Sequence, residues 1–281
     1  MVAPAAMLIL SISIYPIFSG IFMSFTNTSL MNPTAWKFIG LENFAKILKD
    51  SQFREALSFT LIYSFATVAL SYLVGLMCAL LMNRPMRARG LVRALLLMPW
   101  VVPAVIGATS WMWILNDQTG LVNILLKQMG VTTKPILFLG RANTARWTAI
   151  AFATWKAFPF MTVVLLSSMQ SISQDVYEAS TIDGANAWQT LTRVTLPLIR
   201  RESMLIILLQ AMWMFNNFDN IYLLTKGGPA KATQVMSIYS YNTAFYRSSM
   251  GYGSAISVSM MLFMIILCTA YFRLNRKGVE E

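Results

Sequence analysis

Six stretches of mostly apolar residues dominate the sequence, and each is about as long as the 20-residue helix that spans a bilayer core. They cover residues 4–25, 57–82, 92–115, 147–170, 203–224 and 251–273. Because backbone amides find no water inside lipid, such stretches must be helical. We therefore predict an all-α membrane protein in which residues 1–281 form a single transmembrane domain. Four prolines, Pro16, Pro99, Pro103 and Pro159, are expected to bend these helices.

The composition is typical of a chain solvated by lipid. Charged residues make up 12% of the 281 residues, against roughly 25% in a soluble domain. The net charge is +11, but the basic residues cluster beside apolar stretches, which indicates membrane orientation rather than nucleic-acid binding. Histidine is absent, and Cys78 and Cys268 lie inside apolar stretches, so the sequence predicts neither a metal site nor a catalytic set.

The arginine distribution predicts which side of the membrane each loop faces. Residues 84–93 contain four arginines and no acidic residue, and the tail from Arg273 to Lys277 adjoins the last stretch. Basic residues in short loops near span ends mark the cytoplasmic side. We therefore place both termini in the cytoplasm.

The segments on the opposite side are predicted to be modest connections. Residues 41–48 have apolar positions on one helical face, which indicates a short amphipathic helix lying on the membrane. Residues 116–146 and 225–249 are predicted to be polar loops.

The cytoplasmic segment between the fourth and fifth stretches, residues 171–202, has the pattern of two short helices. The first is polar and acidic, and Gly184 permits a sharp break after it. The second is expected to end before Pro197. This coupling loop, as we call residues 171–202, is predicted to project from the membrane as a compact helical knob.

The coupling loop resembles the conserved cytoplasmic loop of permease subunits of ATP-binding-cassette (ABC) importers. That pattern reads Glu-Ala-Ala-x-x-x-Gly, followed by Ile-x-Leu-Pro. The residues in register are Glu178, Ala179, Gly184, Leu196 and Pro197, and the sequence departs from the pattern at Ser180 and Val194. The resemblance implies that the loop docks in a groove of a separate ATPase, with Glu178 in a polar contact and Gly184 as the elbow. The remaining residues assigned to this contact are Ser180, Asp183, Ala185 and Trp188.

Further motifs, in the same order along the chain, are similar to the sugar-importing branch of this family. They lie at residues 15–16, 24–27, 40–44, 98–103, 215–219, 224–229 and 251–253. The chain is identified by this resemblance as a type I importer permease of the maltose, oligosaccharide and glycerol-phosphate kind. No phosphate-binding loop of the Gly-x-x-x-x-Gly-Lys-Ser/Thr type occurs in the sequence.

The resemblance implies an assembly in a bacterial cytoplasmic (inner) membrane. Its other members would be a second homologous permease, two copies of an ATPase subunit and an external solute-binding protein. ATP and Mg²⁺ would bind the ATPase, so this chain would hold no cofactor and catalyse no reaction. Transport would proceed by ATP-driven alternating access.

A candidate substrate lining lies in the fourth and fifth stretches. On one continuous helix Gln210, Trp213, Asn217 and Asn220 would share a face, and Lys156 and Phe160 lie one turn apart. By resemblance, Met214 belongs to the same lining. Amides suit sugar hydroxyls and aromatic rings suit the apolar face of a sugar, although amides in membrane helices also bond between helices.

Two questions stay open at this level. Lys156 favours an acidic substrate, such as a uronate oligosaccharide or a sugar phosphate, unless its ammonium merely caps a helix or reaches the membrane surface. A secondary transporter is the alternative from another class, but Asp219 is the only acidic residue within a stretch, and it is expected to pair with a neighbouring subunit or a backbone group.

Overall fold

The computed structural model describes residues 3–84 and 87–276, and it contains helices and no strand within that part of the chain. The end of the predicted basic tail, Lys277, lies outside the described residues. The α-helices are α1 (Ala3–Ser24), α2 (Glu42–Lys49), α3 (Ser51–Met82), α4 (Arg89–Val101), α5 (Ala104–Ile114), α6 (Leu121–Gln128), α7 (Ala142–Gln170), α8 (Gln174–Ile182), α9 (Ala187–Gln189), α10 (Leu196–Leu198), α11 (Arg200–Phe215), α12 (Asp219–Thr225), α13 (Met236–Tyr241) and α14 (Met250–Arg276). Two short π-helices cover Thr190–Thr195 and Asn242–Tyr246.

The predicted all-α architecture is confirmed, and every predicted apolar stretch is helical over most of its length. In the described residues, three helices are long and apolar enough to cross a membrane: α3, α7 and Met250–Arg273 of α14. The pair α4 and α5 makes a fourth if it counts as one span. The total of six spans therefore stays a prediction.

The third stretch is bent sharply in its middle. The axes of α4 and α5 differ by 96°, and Pro103 is the residue before α5. Val102 has a ψ of 127°, because the ring of the following proline excludes the helical conformation. Pro99 and Pro159 lie inside α4 and α7 without ending either helix.

The fifth stretch is not one helix, so the prediction of a continuous span over 203–224 is wrong. α11 ends at Phe215 and α12 begins at Asp219. Asn216 and Asn217 lie in the break, where their side chains can bond the nearby backbone and so compete with helical hydrogen bonding. Asp219 occupies the first turn of α12, where a carboxylate interacts favourably with the helix dipole.

Two of the predicted polar loops contain helices. Residues 116–146 include α6, and residues 225–249 include α13 and the second π-helix. The side chains of Val235, Met236 and Ile238 are buried, so this part of the second loop belongs to the core. The amphipathic helix predicted at 41–48 is confirmed as α2.

The chain divides into two compact units, which are described separately. Unit 1 comprises residues 1–61, 216–218 and 234–281, and unit 2 comprises residues 62–215 and 219–233. In unit 1, α14 packs along α1 and α13. Gly251 permits the close approach of α14 to the end of α1, since a Cβ there would lie 2.1 Å from the Thr26 carbonyl oxygen.

A carboxylate organises the polar side of unit 1. One oxygen of Asp50 accepts hydrogen bonds from the backbone amides of Gln52 and Phe53 and so caps α3. The other accepts the hydroxyls of Tyr239 on α13 and Tyr252 on α14. Asp50 therefore joins three helices through one side chain.

The same contacts set the ionisation of Asp50. Burial alone would raise the pKa of this carboxyl group, but the hydrogen bonds from Tyr239, Tyr252 and the two amides favour the charged form more strongly. The pKa of Asp50 is therefore lowered from its usual value. A lowered pKa stabilises the fold above the unfolded-state value, and this contribution is lost as the pH falls through the folded-state value.

In unit 2, α7 is the central helix. Phe152, Ala153, Met161 and Leu165 on this helix are inaccessible to solvent. Gly75 of α3 lies against it so closely that a Cβ would stand 2.6 Å from the Met161 Cβ, as expected where small residues let membrane helices approach. A core cluster then joins the ends of α3 and α7 to the residue before α11; its buried members are Ala79, Met82, Leu165, Leu166, Met169 and Ile199.

The substitution Asp50→Ala should destabilise the protein by about 1–3 kcal/mol at neutral pH, because two tyrosine hydroxyls lose their acceptor. Thermal unfolding of the full chain in detergent measures the effect. The difference from wild type should begin to shrink as the pH falls below about 4, and it should be lost as the pH falls further through the lowered folded-state pKa of Asp50. Glu55→Ala, which removes an exposed carboxylate from α3, should change little. An Asp50→Ala effect that is as large at about pH 2 as at pH 7 would contradict this account.

Candidate functional site

The first half of the coupling loop is a short capped helix. The Ser173 hydroxyl accepts the amide of Asp175 and so caps the start of α8. Gly184 follows the helix with a φ of +76°, a conformation that residues with a side chain adopt only at a cost. The amides of Gly184 and Ala185 bond back to the carbonyls of Thr181 and Ser180, which closes the end of the helix. The predicted break at Gly184 is confirmed.

The second half begins with a reciprocal cap and continues further than predicted. Asn186 and Gln189 each accept a hydrogen bond from the other's backbone amide at 2.9 Å. The helical path then runs through α9, the first π-helix and α10. Pro197 lies inside α10, so the prediction that the second helix ends before it is wrong. A proline is accommodated in the first turn of a helix, where its missing amide donor is not needed.

The coupling loop presents apolar side chains to solvent. Ile182 at the end of α8 is 86% exposed and Trp188 on α9 is 70% exposed. Large apolar side chains that a chain leaves uncovered commonly mark a contact with another protein. Sequence reasoning did not include Ile182 in the predicted coupling contact, although its position just before the Asp183-Gly184 break was a usable signal.

The other residues assigned to the coupling contact divide between the outside and the inside of the loop. The exposed ones are Glu178, Ala179, Asp183, Gly184 and Pro197, and Ala185 is half-buried. Ser180 is buried and donates its hydroxyl to the Tyr177 carbonyl. Leu196 packs against the core cluster of unit 2. Ser180 and Leu196 therefore hold the knob together and to the membrane helices.

Two of the residues predicted to line the substrate path belong to an aromatic cluster in unit 2. The rings of Phe160 on α7 and Trp213 on α11 lie with centroids 5.1 Å apart, and Trp100 on α4 adds a third ring 5.9 Å from Phe160. Trp213 and Trp100 are both about half exposed. The structure thus brings together two of the predicted residues and adds Trp100, which sequence reasoning had placed only in a family motif.

Lys156 makes a hydrogen bond within the protein. Its ammonium group donates a hydrogen bond to the carbonyl oxygen of Val102. That carbonyl is left over at the end of α4, because Pro103 stops the helix there. A cation at this position also opposes the partial negative charge of the helix terminus. Lys156 therefore stabilises the 96° bend.

The predicted stripe on the fifth stretch is broken up by the interruption at residues 216–218. Gln210 and Met214 of α11 are buried in unit 2, with Gln210 only 2% exposed. Asn220 lies on α12, also buried, and its side chain bonds the hydroxyl of Tyr63. Asn217 lies in the break and belongs to unit 1, where its carbonyl accepts the Ser237 hydroxyl at 2.8 Å. The single face predicted for these residues is wrong, because no continuous helix carries them.

Unit 1 contains an open cavity of about 460 Å³ that the sequence did not reveal. Its polar lining residues include Asn216, Ser237 and Ser257, and its aromatic lining residues include Phe218 and Tyr241. Asn216 and Phe218 reach this cavity from the break beside Asn217. The lining comes from separate segments, and only their packing places them in one wall.

The sequence model described as binding-protein-dependent transport system inner membrane component matches residues 71–277. The chain belongs to this family. The matched region includes α7, α11 and the whole coupling loop, which confirms the assignment made from the coupling-loop motif. Its members are inner-membrane components of binding-protein-dependent transport systems, and this chain is one of them.

Curated relatives of this transport component extend along almost its whole length. It is 33% identical over 277 residues to the trehalose/maltose transport system permease protein MalF of Thermococcus litoralis, covering 98% of this chain and 92% of that protein. It is 34% identical over 275 residues to the trehalose transport system permease protein SugA of Mycobacterium tuberculosis, covering 98% and 87%.

A solved structure confirms the fold of this transport component. A chain of a bacterial ABC transporter involved in the import of the acidic polysaccharide alginate superposes with a TM-score of 0.85. The match covers 99% of this chain and 94% of that chain at 23% identity. The helical arrangement is therefore that of an ABC importer permease.

Replacing Lys156 by methionine should destabilise the protein by about 1–3 kcal/mol, because the Val102 carbonyl loses its donor. Thermal unfolding in detergent measures the loss, and Lys156→Arg, which keeps a donor and a charge, should recover part of it. Lys134→Met, on an exposed residue between α6 and α7, is the matched control. Equal unfolding temperatures for Lys156→Met and wild type would contradict the capping role.

Proposed function

We propose that this chain is the transmembrane permease subunit of an ABC importer that moves a carbohydrate, an oligosaccharide in particular, by ATP-driven alternating access. The coupling loop is the observation that carries the proposal. A capped helix, an elbow with a φ of +76° at Gly184 and the uncovered Ile182 and Trp188 form a knob that fits a groove of another protein. Family membership supports the proposal that the groove belongs to an ATPase subunit.

The proposed assembly contains two permeases, two ATPase copies and an external solute-binding protein. The ATPase binds ATP and Mg²⁺, and its closure moves the knob. The described residues contain no cluster of side chains that could hold a metal ion. We place both termini and the coupling loop in the cytoplasm, which is where the ATPase finds its nucleotide.

A carbohydrate substrate is supported from two directions. MalF and SugA, both of them sugar permeases by name, match 98% of the chain at 33% and 34% identity. The rings of Trp100, Phe160 and Trp213 also form a surface suited to the apolar face of a sugar ring. The serines and amide of the unit 1 cavity provide partners for hydroxyl groups.

The contacts of Lys156 favour a neutral sugar over an acidic one. The expectation of a uronate oligosaccharide or a sugar phosphate depended on a free positive charge at this position. The ammonium group keeps its charge, but one of its three N–H groups is directed to the Val102 carbonyl, so fewer donors are left for an anion. We therefore assign the permease a neutral disaccharide or oligosaccharide.

Uptake by the assembled transporter in proteoliposomes tests the substrate assignment. Trp213→Leu should raise the KM for a neutral disaccharide about five- to tenfold, because the ring surface provides about 1 kcal/mol or slightly more. Trp113→Leu, an exposed tryptophan on α5, is the matched control and should leave the KM unchanged. A transporter that prefers an anionic oligosaccharide, and loses that preference with Lys156→Met, would overturn the neutral assignment.

The coupling contact is tested by substitutions at the exposed apolar residues. Ile182→Asp should abolish ATP-dependent uptake and release the ATPase during purification, because a charge replaces an apolar contact. The subunit itself should stay folded in the membrane, since Ile182 is 86% exposed. Gly184→Val should also impair coupling through backbone strain, and Gly184→Asn should do so less, since asparagine tolerates a positive φ.

Two results would contradict the coupling role. Normal uptake by Ile182→Asp would remove the knob from the ATPase interface. Uptake that requires an ion gradient and no ATP would favour the secondary transporter instead. The control Leu121→Asp, an exposed apolar residue at the start of α6, should leave co-purification of the ATPase unchanged.

A further inference from the structure

The open cavity of unit 1 is lined by none of the residues that the sequence predicted to contact substrate. Its volume of about 460 Å³ lies within the range of small-molecule sites, which combine a mostly apolar wall with a few polar groups. The wall has that composition, with three methionines and three aromatic residues beside Asn216 and three serines. The cavity therefore has the size and the lining of a ligand site.

The serine hydroxyls of the lining use their protons inside the protein. Ser237 donates to the Asn217 carbonyl at 2.8 Å. Ser240 donates to the Gly253 carbonyl at 2.8 Å, so Ser257 supplies the proton of the 2.7 Å bond between the two serines. A hydroxyl has one donor and two acceptor sites. The oxygens of Ser237 and Ser257 therefore offer acceptors, and no donor, to a ligand in the cavity.

The side-chain amide of Asn216 adds a third acceptor. Its nitrogen donates to the sulfur of Met264 on α14 at 2.8 Å, which fixes the orientation of the amide. The carbonyl oxygen and the second N–H group of the same amide remain for a ligand. The polar part of the cavity thus has three acceptor oxygens and one donor.

The aromatic part of the wall is built on Tyr241. The ring centroid of Phe245 lies 5.0 Å from that of Tyr241, and the centroid of Phe218 lies 5.2 Å from it on the far side of the break at residues 216–218. Phe245 is half exposed, so part of its ring is available to a ligand. Aromatic rings of this kind provide a large apolar contact area.

The balance of donors and acceptors limits the chemistry of the ligand. In the described lining no side chain is charged, and most of the polar atoms are acceptors. A carboxylate or a phosphate consists of acceptors, so it would meet these oxygens without a proton between them. A hydrocarbon chain would offer them no donor. A sugar has hydroxyl groups that donate, and the apolar face of its ring suits the aromatic wall.

We propose that the unit 1 cavity is a second carbohydrate site, which binds one ring of a neutral sugar against Phe245 and Tyr241. The oxygens of Ser237, Ser257 and Asn216 accept hydrogen bonds from the sugar hydroxyls. This site rests on the proposed function, because it assumes that the chain transports a sugar. It shares no residue with the aromatic cluster of unit 2.

Thiol labelling of the assembled transporter in lipid nanodiscs tests the site. Met261→Cys places a reporter thiol in the lining, in a background where Cys78 and Cys268 are replaced by alanine. A cationic methanethiosulfonate reagent modifies thiolates, which form in water and not in lipid. The reagent should modify the reporter thiol, and maltose or trehalose should slow the reaction. Mass spectrometry measures the modified fraction.

Ile266→Cys is the matched control for the position of the reporter. Ile266 is exposed, and it lies nine residues after Ser257, which is two and a half turns and thus the opposite side of α14. Its thiol should stay unmodified, because this side of the helix faces an apolar environment. Equal modification of Met261→Cys and Ile266→Cys would overturn the cavity as a distinct site.

Substitutions in the lining test which groups hold the sugar. Phe245→Leu should raise the disaccharide concentration that gives half-maximal protection about five- to tenfold, because the aromatic contact is lost. Tyr246→Leu changes the next residue, which is exposed and does not line the cavity, and should leave this concentration unchanged. The anionic disaccharide digalacturonate should protect about tenfold more weakly than a neutral disaccharide, because its carboxylates meet unpaired acceptors.

The outcomes separate a failure of this site from a failure of the proposed function. A Met261→Cys thiol that the reagent leaves unmodified would place the cavity against lipid and overturn the site. Modification that neither disaccharide slows, in a transporter that takes one of them up, would overturn the site and leave the proposed function intact. Equal protection by digalacturonate would overturn the assignment to a neutral sugar. A transporter that takes up neither disaccharide with ATP would overturn the proposed substrate, and this site with it.

Discussion

Backbone polar groups inside a membrane must find partners within the protein, and this constraint shapes both interrupted stretches of the chain. The first interruption leaves the Val102 carbonyl without a helical donor, and Lys156 supplies one. The second leaves the Asn217 carbonyl, and Ser237 supplies a hydroxyl at 2.8 Å. In each case a polar side chain from another helix satisfies the interrupted backbone. Such residues resemble substrate ligands in the sequence, because both roles place a polar group inside an apolar stretch.

The coupling loop shows the opposite arrangement, with large apolar side chains left exposed. Ile182 and Trp188 are exposed although the loop has enough polar residues to cover itself. The loop is nevertheless well ordered by local bonds, with caps from Ser173 and from the Asn186–Gln189 pair. An apolar surface on a firmly built support is suited to docking, since little conformational freedom remains to be lost on binding.

Sequence reasoning predicted the helical class, the family and the elbow at Gly184, because each is encoded locally. Apolar length reports a membrane helix, and a fixed motif reports the coupling loop. It failed where tertiary contacts decide. The break at residues 216–218 depends on whether the protein can satisfy the freed carbonyls, and no window around Asn217 contains Ser237. The burial of Val235 and Ile238 was hidden in the same way, since they lie in a segment of polar appearance that packs into unit 1.

The role of Lys156 illustrates the same limit. Its position within an apolar stretch marked it as exceptional, and resemblance placed it in the substrate lining. Its partner lies 54 residues away in sequence, at a bend that Pro103 creates. Both Lys156 and Pro103 are visible in the sequence, but only the fold shows that the lysine bonds the carbonyl that the proline leaves without a helical donor.

The packing of the partly buried Leu196 has a mechanical consequence. Leu196 lies near the C-terminal end of the coupling loop and packs against the cluster that contains Ala79, Leu165 and Ile199. This end of the loop is therefore fixed to the membrane helices. A force that acts on Trp188 would therefore be transmitted to the ends of α3 and α7, because no flexible segment lies between them to absorb the motion. Shortening Leu196 to alanine would weaken this packing. The coupling loop could then move relative to α3 and α7, although the exposed surface of the loop would be unchanged.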